Sequence, residues 1–161
     1  MTVYKCRYPF KFIFTALNLA SGKPTDQSSV HHPVSSSEKA VDGCIENGHY
    51  SECCAITGQE HRPWWGVDLE ATFNIVMVRV LNRGDCCGKT SILNDSYNSF
   101  TACALLKRHK GERLSNFDVM VASDVIDPTH SSDKQLCAHV EGPVPQGGWM
   151  DIECNPPISG R

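Results

Sequence analysis

The chain has 161 residues, one domain's length and enough for a substantial core. Fifteen Lys and Arg against 18 Asp and Glu leave a net charge of −3, too weak to suggest nucleic acid or an anionic membrane surface as partner. Nine cysteines imply, in an oxidising compartment, disulfides with at least one thiol left over, whereas a cytosolic chain would need them as metal ligands. The candidate zinc set of His49, Cys53, Cys54 and His61 lacks any paired C-x2-C spacing.

Residues 1–16 read as an N-terminal extension. Lys5, Arg7 and Lys11 precede only the short apolar stretch Phe12-Ile13-Phe14-Thr15-Ala16-Leu17, a poor signal peptide. No run approaches the roughly 20 apolar residues of a membrane span, so no membrane insertion is expected, and the case for secretion rests on the cysteines. Residues 28–37 are a Ser-rich turn cluster, and 64–69 form a short strand. Residues 73–81 are β-branched and partly alternating, and they end in the polar Asn82-Arg83-Gly84-Asp85. A helical pattern appears only near 100–110. Residues 116–122 alternate cleanly, with Phe117, Val119 and Val121 on one face; turns fill 123–134, and 148–154 give another short strand. Short strands with frequent turns predict an all-β, antiparallel sandwich.

The block Asn82-Arg83-Gly84-Asp85-Cys86-Cys87-Gly88 carries the chemistry. Joined to each other, Cys86 and Cys87 would form a stiff, flat, rather apolar bump, with a cation and an orienting anion just before it. Such a surface suits a ligand with one apolar edge and several hydroxyls, as in a deoxy-sugar. The alternative is two unrelated buried cysteines on a strand. Cys86-Cys87-Gly88-Lys89-Thr90 fails as a phosphate loop because the first glycine would fall at Arg83. Arg83-Gly84-Asp85 spells an integrin tripeptide, but the adjacent cysteine pair would hold it rigid. Asn94-Asp95-Ser96 is a glycosylation acceptor only in a secreted chain.

Five blocks in order resemble the F-type lectins, the fucolectin family that also carries the tachylectin-4/pentraxin-1 name. They are Asn18 to Ser29 (NLASGKPTDQSS), Ala40-Val41-Asp42-Gly43, Pro63 to Leu69 (PWWGVDL), Asn82 to Gly88, and Gly111-Glu112-Arg113-Leu114-Ser115-Asn116-Phe117. The resemblance covers residues 17–161. It implies an eight-stranded jelly-roll sandwich of the galactose-binding-like type with its C-terminal strand missing, and a segment inserted at 89–110. It also implies a sugar site on loops at one end, where a histidine and two arginines donate to L-fucose and the vicinal disulfide packs against the ring. Arg83 matches the first arginine, Asp85 its supporting carboxylate and Cys86-Cys87 the disulfide; Arg113 takes the second role, with Lys89 as a substitute. The family histidine would fall near Ala55 or Ile56, neither of which donates, and His61 is the nearest replacement.

The same resemblance implies calcium, held at Asp42 and a C-terminal carboxylate. Cys44 stands where an oxygen ligand belongs, and Ser51 and Glu52 could supply oxygens nearby. It pairs Cys137 with Cys154, and it leaves Cys53 or Cys54 either orphaned or joined to each other; Cys6, Cys44 and Cys103 have no counterpart. The implied partners are fucosylated glycans or glycoproteins, met outside the cell in innate-immune-type recognition, with a homo-oligomer to raise weak affinity. The alternative is a discoidin-like adhesion module with a degenerate sugar site. An enzyme is not expected: a glycosidase needs two opposed carboxylates, whereas Asp85 and Glu112 each stand beside an arginine.

Overall fold

The computed structural model describes residues 2–4, 17–45, 53–83, 114–124, 127 and 129–161, for 2–4 the backbone only. Among these stand seven strands: β1 (Thr2–Tyr4), β2 (Thr25–Gln27), β3 (Trp65–Val67), β4 (Phe73–Leu81), β5 (Phe117–Val121), β6 (Gln135–Val140) and β7 (Trp149–Gly160). A 3-10 turn spans Ser37–Ala40. All pairings are antiparallel, in a β1-β4-β7 sheet and the two pairs β2-β3 and β5-β6. The expected all-β sandwich is what these residues form. Residues 2–4, which the sequence places ahead of the domain, run along β4 with Val3 opposite Val78.

Central strand β4 buries Ile75, Val78 and Val80. The spacing of three between Ile75 and Val78 breaks the two-residue period of a strand, and the ladder shows why. Ile75 lies opposite Ile158, but Met77 lies opposite Glu153, so Val76 and residues 154–157 fall outside the register. Pro156 and Pro157 are in that gap, and neither has an N–H to give to a ladder. A second slip occurs between β5 and β6, where Val119 pairs with Ala138 and Met120 with Leu136, leaving Cys137 over. Cys137 is disulfide-bonded to Cys154, with Cα atoms 4.7 Å apart. The bridge implied by the resemblance thus ties two ladder irregularities together and clamps β6 to β7. Val119 and Val121 of β5 join Ile75, Val78, Val80, Ile152 and Ile158 in one core, with Ala20, Val41, Leu69 and Val144 added from loops.

Hydrogen bonds orient the sandwich. At its lower end the Asp68 N–H donates to the Pro24 carbonyl (2.9 Å) and the Arg161 N–H to the Ala122 carbonyl (2.8 Å). Phe73 starts β4 opposite Gly160, which ends β7. A Cβ on Gly160 would overlap Val121 and meet the Ala122 carbonyl oxygen at 2.8 Å. The strand directions then carry the far ends of β2 and β4, and the starts of β3, β5 and β7, to the opposite, upper end.

Candidate functional site

Arg83 stands at that upper end, two residues past β4, and is partly buried. The ladder persists through it: the Asn82 N–H donates to the Gly148 carbonyl (3.0 Å) and the Gly147 N–H to the Arg83 carbonyl (3.1 Å). Residues 145–148 make a tight turn closed by Gly148 N–H to Pro145 O (2.9 Å), with Gly147 at φ 65°. That positive φ is what a type II turn demands of its third residue and what glycine supplies without a steric cost.

Asn82 is only 4% exposed, and its side-chain Nδ2 donates to the Val144 carbonyl at 2.8 Å. The Val144 N–H donates in turn to the Leu114 carbonyl at 2.9 Å. Val144, itself 1% exposed, therefore joins the residue before Arg83 to the residue after Arg113. Arg113, Asp85, Cys86, Cys87 and Lys89 lie outside the described residues, as does the 89–110 segment. Their flanks are nonetheless brought to one buried carbonyl–amide pair, so the first and last residues around the 84–113 segment share an anchor. Sequence reasoning did not single out Asn82; a polar side chain just past a strand looks like a turn residue.

A second buried amide does similar work nearby. Gln27, at the end of β2 and 9% exposed, donates from Nε2 to the carbonyls of Ser29 (2.6 Å), Ser35 (3.3 Å) and Ile56 (3.3 Å). The loops 28–37 and 53–64 are further joined by His31 N–H to Ile56 O (2.9 Å) and Ile56 N–H to Ser35 O (3.0 Å). Ser28 and Ser29 hydroxyls both donate to Glu60 Oε1, the first at 2.7 Å, and hold that carboxyl below the usual glutamate range. His61 follows Glu60 at an exposed bend of this tied loop, before Arg62 at φ 58°. Ile56 thus serves the loop through its backbone, while the candidate donor His61 projects from its surface.

Asp42 was expected to hold calcium, and its carboxylate is otherwise engaged. Oδ1 accepts the Cys44 N–H at 2.8 Å, and Oδ2 lies 4.0 Å from the Lys39 ammonium. Cys44 is bonded to Cys53, with Cα atoms 5.5 Å apart. Of the alternatives the resemblance left open, this excludes a Cys53–Cys54 bond, and it gives Cys44, which has no counterpart in the family, a partner. Cys53 is also removed as a thiolate ligand for zinc. A cation beside the carboxylate and a half-cystine two residues on do not fit a hard, oxygen-seeking ion. Among the described residues no group of three or more His, Cys, Asp or Glu could hold a metal; Ser51 and Glu52 lie outside them.

No family model matches the chain. A fucolectin of Anguilla anguilla is 35% identical over 80 residues, 47% of this chain and 51% of that protein. A fucose binding module of Streptococcus pneumoniae superposes with a TM-score of 0.62 at 26% identity, over 94% of this chain and 84% of that one. The chain is related to the fucolectins. It spans about half the length of the eel fucolectin it matches. A His 62 mutant of the lectin binding domain of Lectinolysin, solved in complex with Lewis b, gives a TM-score of 0.62 at 25% identity, covering 90% of this chain and 80% of that one. The F-type lectin resemblance of the sequence thus holds at the level of relatives and fold alike.

Proposed function

We propose that this domain is a non-catalytic lectin that binds terminal L-fucose on glycans outside the cell. One observation carries the reading at residue level: Asn82, Val144 and Leu114 form a continuous hydrogen-bonded link between the flanks of Arg83 and Arg113. Two guanidinium groups converging on one rim would offer planar, permanently charged donors to adjacent hydroxyls and a ring oxygen. In this reading Asp85 orients Arg83, and Cys86-Cys87 supplies the apolar floor for the methyl edge. The names of the relatives, and the Lewis b bound to the Lectinolysin domain, support fucose as the terminal sugar. Two disulfides among the described residues favour an oxidising compartment. Monovalent sugar affinity is weak, so the reading includes a multivalent assembly that raises avidity, in keeping with glycan recognition of the innate-immune type. The reading does not depend on calcium: Asp42 Oδ2 lies 4.0 Å from the Lys39 ammonium, and Ser51 and Glu52 lie outside the described residues.

Retention on fucose-agarose tests the proposal. Wild-type protein should be retained and released by free L-fucose, and Arg83→Ala should pass through unretained with an unchanged circular dichroism spectrum. Retention of Arg83→Ala equal to wild type would overturn the assignment.

A further inference from the structure

Trp149 opens β7 at the upper end of the sandwich and is 44% exposed, although large apolar side chains normally seek burial. Its direction follows from the strand. Ile152 and Cys154 are buried and Met150 is partly buried, so residues 149, 151 and 153 point to the other face. On β4 and just past its end, Val80 and Asn82 are buried, so Leu81, and Arg83 beyond it, alternate to the face of Trp149. Leu81 lies directly opposite Trp149, and the Gly147 N–H bond to the Arg83 carbonyl places Arg83 one pair further on. Trp149 therefore stands at the last ladder pair and Arg83 two residues beyond that pair's β4 member, on the same edge of the sheet, a spacing that an aromatic and a long side chain can span. The same three bonds that fix Arg83, from Asn82 N–H, Asn82 Nδ2 and Gly147 N–H, also fix the chain entering Trp149. Below it, Arg79 and Asp151 pair side by side on the same face and close that direction with charge.

We infer that Trp149 is a second sugar subsite: its indole stacks against the hexopyranose that carries the fucose, and so selects fucosylated oligosaccharides over fucose alone. The inference rests on the fucose reading of Arg83. A pyranose presents a run of C–H groups on one face, polarised positive at hydrogen, and the negative face of an aromatic ring attracts them while both surfaces lose water. A sugar held by Arg83 would place its next ring within the reach of Trp149. A rigid aromatic also loses little side-chain entropy on binding.

Calorimetric titration of wild type, Trp149→Ala and Trp149→Phe with methyl α-L-fucoside and with the Lewis b oligosaccharide tests this. Wild type should bind Lewis b about fivefold more tightly than the fucoside, the yield of one aromatic contact. Trp149→Ala should lose that preference while its fucoside affinity stays within about twofold of wild type, and Trp149→Phe should keep part of the preference. A preference unchanged in Trp149→Ala, or equal weakening toward both ligands, overturns the subsite and leaves the fucose reading standing. Wild-type silence toward both ligands overturns the fucose reading and the subsite together.

Discussion

The two ends of the sandwich are closed by different means. At the lower end the closure is steric and electrostatic: Gly160 meets Val121 and Ala122, Arg161 forks onto Asp68 (2.8 and 3.1 Å), and Lys23 reaches Glu70 at 2.6 Å. The ion pairs there are exposed on at least one partner. At the upper end two buried amides, Gln27 and Asn82, each just at or past the end of a strand, donate into loop carbonyls. Loops have no ladder of their own, so a loop that must hold side chains in place needs its backbone groups satisfied from below. Buried amides provide this where surface charge pairs would be screened and mobile. Function is accordingly expected at the upper end, and perturbations should separate the two.

The largest effect should come from the loop that joins the ends. Val41 receives the Gly22 N–H near the lower end, and Ile56 donates to Ser35 near the upper; between them Cys44–Cys53 closes the connection. Replacing both cysteines by serine frees a loop with a sequence separation of 9, which removes about 2.5 kcal/mol by the chain-entropy account. Thermal melting should show that loss, while excess EDTA or added calcium leaves the oxidised wild type where it was. A melting point raised by calcium would mean that Ser51, Glu52 or other oxygens complete a cation site around Asp42.

Next in size is Asn82→Ala. It strands the Val144 carbonyl in the core, at a cost of about 2 kcal/mol, and it loosens both flanks of the 84–113 segment. Denaturant unfolding should report the first effect. Fucose-agarose retention should report the second, and it should fall at temperatures where the fold is still complete. Full retention would show the upper amides to be structural in the same sense as the lower closure.

How far these features are legible in the sequence follows from where hydrophobic alternation survives. β4 and β5 match the runs predicted at 73–81 and 116–122, because β-branched residues alternate there against a core, and β3 falls within the run predicted at 64–69. The first half of β7 is legible for the same reason. Its second half is not, since Asn155-Pro156-Pro157 resembles a break, although pairing resumes at Ile158. β6 is hidden by its own register slip: Leu136 is 54% exposed and Cys137 falls between pairs. Cysteine spacing cannot dictate connectivity, which is why Cys44–Cys53 emerges only from the fold. Asn82 and Gln27 escape notice because a buried amide and a turn amide look alike until the loops above them are placed.

The smallest effect should sit at the lower end and answer to pH. Hydrogen bonding from Arg161 holds the Asp68 carboxyl below the ordinary aspartate range, against the opposing effect of burial and with lesser help from the Glu70 amide and the nearby charges of Arg161 and Lys23. A carboxyl whose folded pKa is depressed stabilises the fold at pH above its unfolded value of about 3.9, and that stabilisation is lost as pH falls through the lower, folded value. Arg161→Met removes both the hydrogen bond and the charge while keeping an unbranched stem. The melting point of Arg161→Met should lie slightly below wild type from about pH 5 upward, within the small range of an exposed pair. The two curves should converge once pH drops well below about 4 and Asp68 is protonated in both proteins. Fucose retention at neutral pH should not change. A gap that persists in acid would assign the stabilisation to packing of the Arg161 stem. Lost retention would show that the two ends are coupled after all.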